Sequence, residues 1–362
     1  MLKSFVARNF RCFKELRLDT LGRMNLIAGD NGVGKTALLE AIFLHLGPTN
    51  AALTTVVDRM RGLPPFEADG DKQWGWLFRN KETQVPIGLD CELADGVMRH
   101  LALRLGSPQE YRIEKGTGQG QAGLSARPTT FRTSGSELIM EYQDSTGTKT
   151  LTKGLLTVGG QKGRELVAVQ ADPPVTVLSP KALLFRSFVP GFEEDAERLN
   201  AMVARKTEGQ LLKAVQRIQP AVQGLVPGYY AQQPMIYGDV GFRERIPLAL
   251  AGDGMLRLVR YLVGIADCAG GVVLIDEVEN GFYHSVLPKL WQALAVACEG
   301  ANVQLFATTH SWECIGAAYE ALKDTSSTFF LHRLERSEDG IIAITLDRQH
   351  IETALKCELE VR

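Results

Sequence analysis

The chain has 362 residues, 45% hydrophobic and 23% charged, with a formal net charge of −2. That balance suits a globular protein with a large core in one elaborated domain or two, and it lacks the basic excess of a dedicated nucleic-acid binder. The six cysteines are scattered with no C-x-x-C pair, which argues against a zinc site or disulfide framework and for a reducing cytoplasm. No apolar run reaches the ~18 residues of a membrane span, and no apolar stretch follows Lys3 as in a signal peptide.

Residues 1–18 alternate apolar and polar around Asn9-Phe10-Arg11-Cys12-Phe13, predicting a strand, a turn and a second strand. Arg11 either contacts nucleotide or is an exposed surface arginine. Met24 to Ala28 reads as a short buried strand and Ala37 to Leu46 as a helix ended by Gly47-Pro48. Between them Gly29-Asp30-Asn31-Gly32-Val33-Gly34-Lys35-Thr36 fits G-x-x-x-x-G-K-[ST] without a mismatch. A strand turning into a helix leaves backbone N–H groups aimed at one spot, where the helix dipole favours negative charge. Gly29, Gly32 and Gly34 let that backbone curl around phosphate, Lys35 can reach the β- and γ-phosphates, and the Thr36 hydroxyl can ligate Mg²⁺.

Residues 50–61 are read as helical, and Trp74, Trp76, Leu77 and Phe78 as a core aromatic cluster. Hairpins are predicted over 85–105, about Ala94-Asp95-Gly96, and over 137–151, about Asp144 to Gly147. Between these hairpins the Gly-, Gln- and Ser-rich stretch 116–128 reads as a mobile loop, and Val175 to Leu178 as a short strand. Over 193–225 two helices are expected, one using Leu199, Met202 and Val203, the next using Leu211, Leu212, Val215, Ile218 and Val222, with Thr207 as the cap between them. Met235 to Pro247 reads as a hairpin.

Gly271 to Glu277 is an apolar run ending in two carboxylates, the pattern of a strand buried on both faces in a parallel sheet. Its carboxyl end is where α/β sheets place ligands. Asp276 there can hold Mg²⁺ and Glu277 can polarise a water against the γ-phosphate. Val303 to His310 is a second such run, with a helix over 284–298 connecting the two and His310 a candidate γ-phosphate contact. The tail reads as an edge hairpin, 328–334 with 341–346, and a short helix.

Lys35 and Asp276 lie 241 positions apart (276 − 35), which implies a long insertion within the nucleotide-binding lobe. Just before the acidic strand, Gly252-Asp253-Gly254 opens a helix. With these segments the chain resembles the ABC-type ATPases of the RecF/SMC/OLD group, and most nearly the stand-alone bacterial AAA-type proteins of the AAA15 family. The resemblance spans the whole chain. It is most specific at Asn9 to Arg11, Gly29 to Thr36, Gly252 to Gly254, Leu274 to Gly281 and Thr308 to Ser311.

The resemblance implies an α/β P-loop NTPase fold of ABC-ATPase type. A mainly parallel core sheet flanked by helices (1–48 and 255–362) would carry a β-rich, antiparallel insertion (49–180) and a helical lobe with the signature motif (181–254). It also implies ATP and Mg²⁺ as cofactors and an ATP-sandwiched homodimer. The sites implied are Arg11, Gly29, Asn31, Gly32, Val33, Gly34, Lys35, Thr36 and Ala37 on ATP, with Thr36 and Asp276 at the metal. Glu277, His310 and Lys35 would be catalytic, and Gly252, Asp253 and Gly254 would act on the partner's nucleotide.

Two positions depart from the pattern. Ala249 and Leu250 stand where the family has serine before the signature glycines, which points to slow hydrolysis. No glutamine is found for the loop that couples ATP to the helical lobe, Ser179 lying about where it belongs. The resulting expectation is a cytoplasmic, dimerising ATPase switch in nucleic-acid transactions or anti-phage defence, working with a separately encoded effector such as a nuclease. A transporter's nucleotide-binding subunit and a scaffold with structural ATP are the competing readings. Relatives that cut DNA carry a C-terminal TOPRIM domain, and only 51 residues follow Ser311 (362 − 311), so the chain itself is expected to have no nuclease activity.

Overall fold

The computed structural model describes residues 1–63, 70–106, 137–157, 166–172, 179–186 and 192–357. The chain opens with strands β1 (Leu2–Phe10), β2 (Phe13–Leu18) and β3 (Met24–Gly29), then helices α1 (Lys35–Leu46), α2 (Ala52–Met60) and α3 (Gly70–Gly75). Strands β4 (Ile87–Leu93), β5 (Met98–Leu105), β6 (Leu138–Asp144), β7 (Lys149–Thr157), β8 (Leu166–Asp172) and β9 (Ala182–Phe185) follow. Helices α4 (Phe192–Ala204) and α5 (Glu208–Gln216) lead to β10 (Gly224–Tyr230), β11 (Gln233–Asp239) and β12 (Ile246–Pro247). The final third holds α6 (Asp253–Asp267), β13 (Val272–Ile275), α7 (Leu287–Gly300), β14 (Gln304–Thr308), α8 (Trp312–Leu322), β15 (Phe329–Ser337), β16 (Gly340–Leu346) and α9 (Arg348–Lys356).

A six-stranded sheet of order β16-β15-β3-β14-β13-β9 forms the centre. Its strands are parallel except β16, so β3, β13, β14 and β9 all end on the same side. Both faces are covered, which is why the strands read as unbroken apolar runs. Met24, Leu26 and Ala28 of β3, Val273 and Ile275 of β13, and Leu305 and Ala307 of β14 join the cluster beneath α6, α7 and α8. The alternate residues Ile27, Val272, Leu274 and Phe306 face α1 and the second sheet. Helix α1 is buried almost all round and touches strands of both sheets.

That second sheet is antiparallel, of order β2-β1-β4-β5-β6-β7-β8. It takes in the first two strands, so the β-rich layer begins at Leu2 and not after residue 48. Likewise β9, expected within the helical lobe, pairs in parallel with β13 as the edge strand of the central sheet.

Other local expectations shift for identifiable reasons. Trp74, Leu77 and Phe78 are core, but Trp76 is exposed, its ring under the Lys81 ammonium at 3.7 Å. The second helix, expected to run through Val222, ends at Gln216, and residues 224–230 form a strand. They pair with β11 around Ala231-Gln232, both at positive φ with neither glycine nor asparagine to signal the turn. The expected hairpin survives as β11 with the two-residue β12. The Thr207 hydroxyl donates back to the Met202 carbonyl and so closes α4 instead of capping α5. Val203 lies on the exposed side of α4. Strand β15 is interior, between β3 and β16, so of the expected edge hairpin only β16 is an edge. The expected loop 116–128 and strand 175–178 lie outside the described residues.

All six cysteines are free. Among the described residues no helix is long and apolar enough to cross a membrane.

Candidate functional site

The site forms at the carboxyl ends of β3, β13, β14 and β9, where four connections leave the parallel sheet together. After β3 the chain turns at Gly29 and enters α1 through Gly34, which sits at φ 95°. A Cβ on Gly34 would stand 2.6 Å from Cys12 Sγ and 2.8 Å from the Phe13 ring, so only glycine fits. Asn31 and Gly32 are exposed at the turn, whereas the Val33 and Ala37 side chains point into the core and can offer a ligand only their backbone. No acidic residue lies in the first turn of α1, which leaves the positive helix end uncompensated and open to an anion. Lys35 Nζ donates to the Gly29 and Asp30 carbonyls at 2.6 and 3.0 Å. Burial lowers the Lys35 ammonium below its ordinary value, against the pull of Asp276, Glu277, Glu279 and Asp30.

The other carboxyl ends converge on the next residue. Thr36 Oγ1 donates to Asp276 Oδ1 and Oδ2 at 3.0 and 2.9 Å, and Thr308 Oγ1, from the intervening strand, donates to Asp276 Oδ1 at 2.7 Å. The Glu277 N–H in turn donates to Thr308 Oγ1 at 2.8 Å. Glu277 itself sits at φ 53°, a left-handed conformation that costs a non-glycine residue and is typical of functional turns. Asn280 Nδ2 donates to its carboxylate at 2.6 Å.

His310 follows β14. Its N–H donates to Glu279 Oε1 at 3.0 Å and its Nδ1 lies 3.3 Å from the same oxygen, which also accepts from Thr309 Oγ1 at 2.7 Å. Gly254, in the first turn of α6, abuts the segment after Glu277: a Cβ there would meet the Gly281 carbonyl at 2.5 Å. Gly252 caps α6 and Asp253 begins it, so this glycine motif is joined to residues 277–282 of its own chain.

Arg11 is neither exposed nor turned outward. Its guanidinium lies against Glu40 at 3.3 Å and Asp58 at 2.7 Å, in a cluster behind the phosphate loop. The fully buried Glu40 also takes Arg61 at 2.7 Å and Arg186 at 3.3 Å. Asn9 and Phe10 support the same corner: Asn9 Nδ2 donates to the Val85 carbonyl, and Phe10 is buried and bridged to Phe78.

Sequence reasoning missed Glu279, Arg336 and Arg186. Glu279 carried a signal, one more carboxylate in the acidic run after β13. Arg336 Nη2, which donates to the Gly32 carbonyl at 3.1 Å, carried none. Arg186, and not Ser179, is the residue beside Asp276 after the neighbouring strand, with Nε 3.5 Å from Oδ2.

A backbone cradle at a helix start, one lysine, and a hydroxyl–carboxylate pair beside a second carboxylate make up the apparatus of phosphoryl transfer from a nucleotide. Known proteins agree. A model described as "AAA domain" matches residues 6–57, and one described as "AAA domain, putative AbiEii toxin, Type IV TA system" matches residues 162–313. The chain carries AAA-type ATPase domains on an SMC-head-like fold. The ATPase is 21% identical over 374 residues to an ATP/GTP phosphatase of Helicobacter pylori, covering 97% of each chain. It is 27% identical over 134 residues to the DNA replication and repair protein RecF of Psychromonas ingrahamii, covering 32% of this chain and 35% of that one. A crystal structure of an SmcHead bound to the C-winged helix domain of ScpA superposes with a TM-score of 0.51 at 11% identity, over 98% of this chain and 99% of that one.

The donor set also fits Mg²⁺. Thr36 and Asp276 offer a hydroxyl and a carboxylate, both hard oxygens. Among the described residues no group of three or more His, Cys, Asp or Glu could hold a metal by itself. Magnesium commonly takes one or two protein oxygens and completes its shell with water and nucleotide phosphates.

Proposed function

We propose that this ATPase is an ATP-driven dimerising switch of the stand-alone AAA15 kind, acting with a separately encoded effector in nucleic-acid transactions or defence. The observation that carries the hydrolytic core is the continuous chain Thr36–Asp276–Thr308–Glu277, which gathers three strand ends on one point. In this reading the loop amides and Lys35 hold the β- and γ-phosphates, and Thr36 and Asp276 hold Mg²⁺, which draws charge from the γ-phosphoryl oxygens. Glu277, fixed by Asn280, orients the attacking water, and His310, steadied by Glu279, meets the γ-phosphate.

Dimerisation is supported by the surface around the glycine motif. Leu250 is 72% exposed just before Gly252, and Tyr283 is 70% exposed just after Gly281. Large apolar side chains flanking two packed glycine turns suit a self-complementary interface. The absent serine leaves backbone amides at the start of α6 as the contacts to the opposite nucleotide, so closure is weaker than in relatives. ATP favours the dimer only through contacts made in the closed form. A role near nucleic acid is suggested by the RecF relative, and a toxin–antitoxin or defence role by the matched domain model, with the effector supplied by another polypeptide.

Sedimentation of Glu277→Gln with and without MgATP tests the switch. The reading predicts a dimer with MgATP and a monomer without it. An ATP-bound monomer at high protein concentration overturns it.

A further inference from the structure

Arg186 is placed by sheet register. Phe185 of β9 pairs with Ile275 of β13, and the Asp276 N–H donates to the Phe185 carbonyl at 2.8 Å. The residue after each strand therefore lies beside the other. The Arg186 side chain is only 16% exposed, with Nε 3.5 Å from Asp276 Oδ2 and Nη1 3.3 Å from Glu40 Oε1. Asp276 Oδ2 is also an oxygen that accepts from Thr36. A guanidinium has donors and no acceptor, so at this position it cannot ligate a metal and can only compete with one.

The guanidiniums behind the phosphate loop are each paired with a carboxylate before any metal enters. Glu40 holds Arg61 through two bonds, at 2.7 and 3.0 Å, and Arg11 is shared between Glu40 and Asp58. Three guanidiniums (Arg11, Arg61, Arg186) thus face three carboxylates (Glu40, Asp58, Asp276). A bare divalent cation at Asp276 would be set against the Arg186 guanidinium and the Lys35 ammonium in a half-buried setting, where screening is weak. A triphosphate arriving with the metal supplies negative charge that offsets these cations.

We infer that Arg186 is a positioning residue that occupies the metal-binding carboxylate as its counter-ion and makes divalent-metal binding conditional on nucleotide. This inference rests on the reading that Thr36 and Asp276 hold the metal. Arg186 is then a check on loading order: metal enters with ATP and displaces the guanidinium from Asp276, and metal alone is turned away.

The test is Mn²⁺ binding to the full chain by electron paramagnetic resonance, with and without ATP. Arg186→Gln and Arg186→Met remove the charge by different shapes, Arg186→Lys keeps it, and circular dichroism establishes that each is folded. Wild type and Arg186→Lys should bind Mn²⁺ with ATP and at least tenfold more weakly without it. A folded neutral variant should bind Mn²⁺ without ATP roughly tenfold or more tightly than wild type does. Equal nucleotide-free affinity in wild type and a folded neutral variant overturns the inference. Absence of Mn²⁺ binding by wild type even with ATP overturns instead the metal site on which it rests.

Discussion

The Thr36 hydroxyl reaches both carboxylate oxygens of Asp276, at 3.0 and 2.9 Å, across 240 positions of sequence. Those two residues close the loop between the start of α1 and the end of β13, and Thr308 joins them from between. Asp276→Asn puts an amide donor among two hydroxyl donors and the Arg186 guanidinium. We expect a loss of about 1–3 kcal/mol in urea unfolding, from buried donors left unpaired, and loss of metal-dependent nucleotide affinity. An unchanged urea midpoint would show that this carboxylate does not hold the strand ends together.

Lys35→Ala removes the cation nearest the phosphate cradle, while the fold of α1 needs only its backbone. A charge-assisted bond to phosphate is worth about 1.5–3 kcal/mol, so ATP affinity should fall roughly 10- to 100-fold. Calorimetry showing near wild-type affinity would remove the loop from the binding site.

Glu40 is fully buried among three guanidiniums. Glu40→Gln keeps its shape and removes its charge, leaving like charges together in a desolvated corner. The expected cost is about 3–5 kcal/mol by chemical denaturation. A cost within 1 kcal/mol would mean that Asp58 and Asp276 suffice to hold the cluster.

Burial lowers two histidines, His45 and His332, from 6.5 to about 4. Folded, both stay neutral, whereas the unfolded chain takes up protons below about pH 6.5. Their stabilisation is therefore complete above about pH 6.5 and is lost as pH falls toward 4, by on the order of 3 kcal/mol each. Urea midpoints at pH 7 and pH 5 should differ more for wild type than for the double variant His45→Gln, His332→Gln. Equal pH sensitivity in the two would contradict this.

Much of the central sheet was legible because strands buried on both faces leave unbroken apolar runs, as at Val272 to Ile275 and Leu305 to Ala307. The phosphate loop was legible because its backbone demands glycine at fixed spacing. The β10–β11 hairpin was not, because Pro227, Gly228 and the Ala231-Gln232 turn give it neither alternation nor a turn signal. Pairing across sequence was equally hidden. Nothing local to Leu2 to Phe10 says that β1 pairs with β4, and nothing local to Arg186 says that it will meet Asp276. Ion pairs such as Arg11–Glu40–Arg61 appear only after the two sheets have closed around α1.

The central claim is that Glu277 drives hydrolysis of a nucleotide held by Gly29 to Thr36. Its most direct test is phosphate release by the purified chain and by Glu277→Gln, at saturating ATP and Mg²⁺, with ATP affinity measured in parallel. The account predicts unchanged affinity and a turnover at least ~100-fold lower in the variant, the usual share of a positioned acid or base. Turnover equal to wild type in a variant that still binds ATP would contradict it.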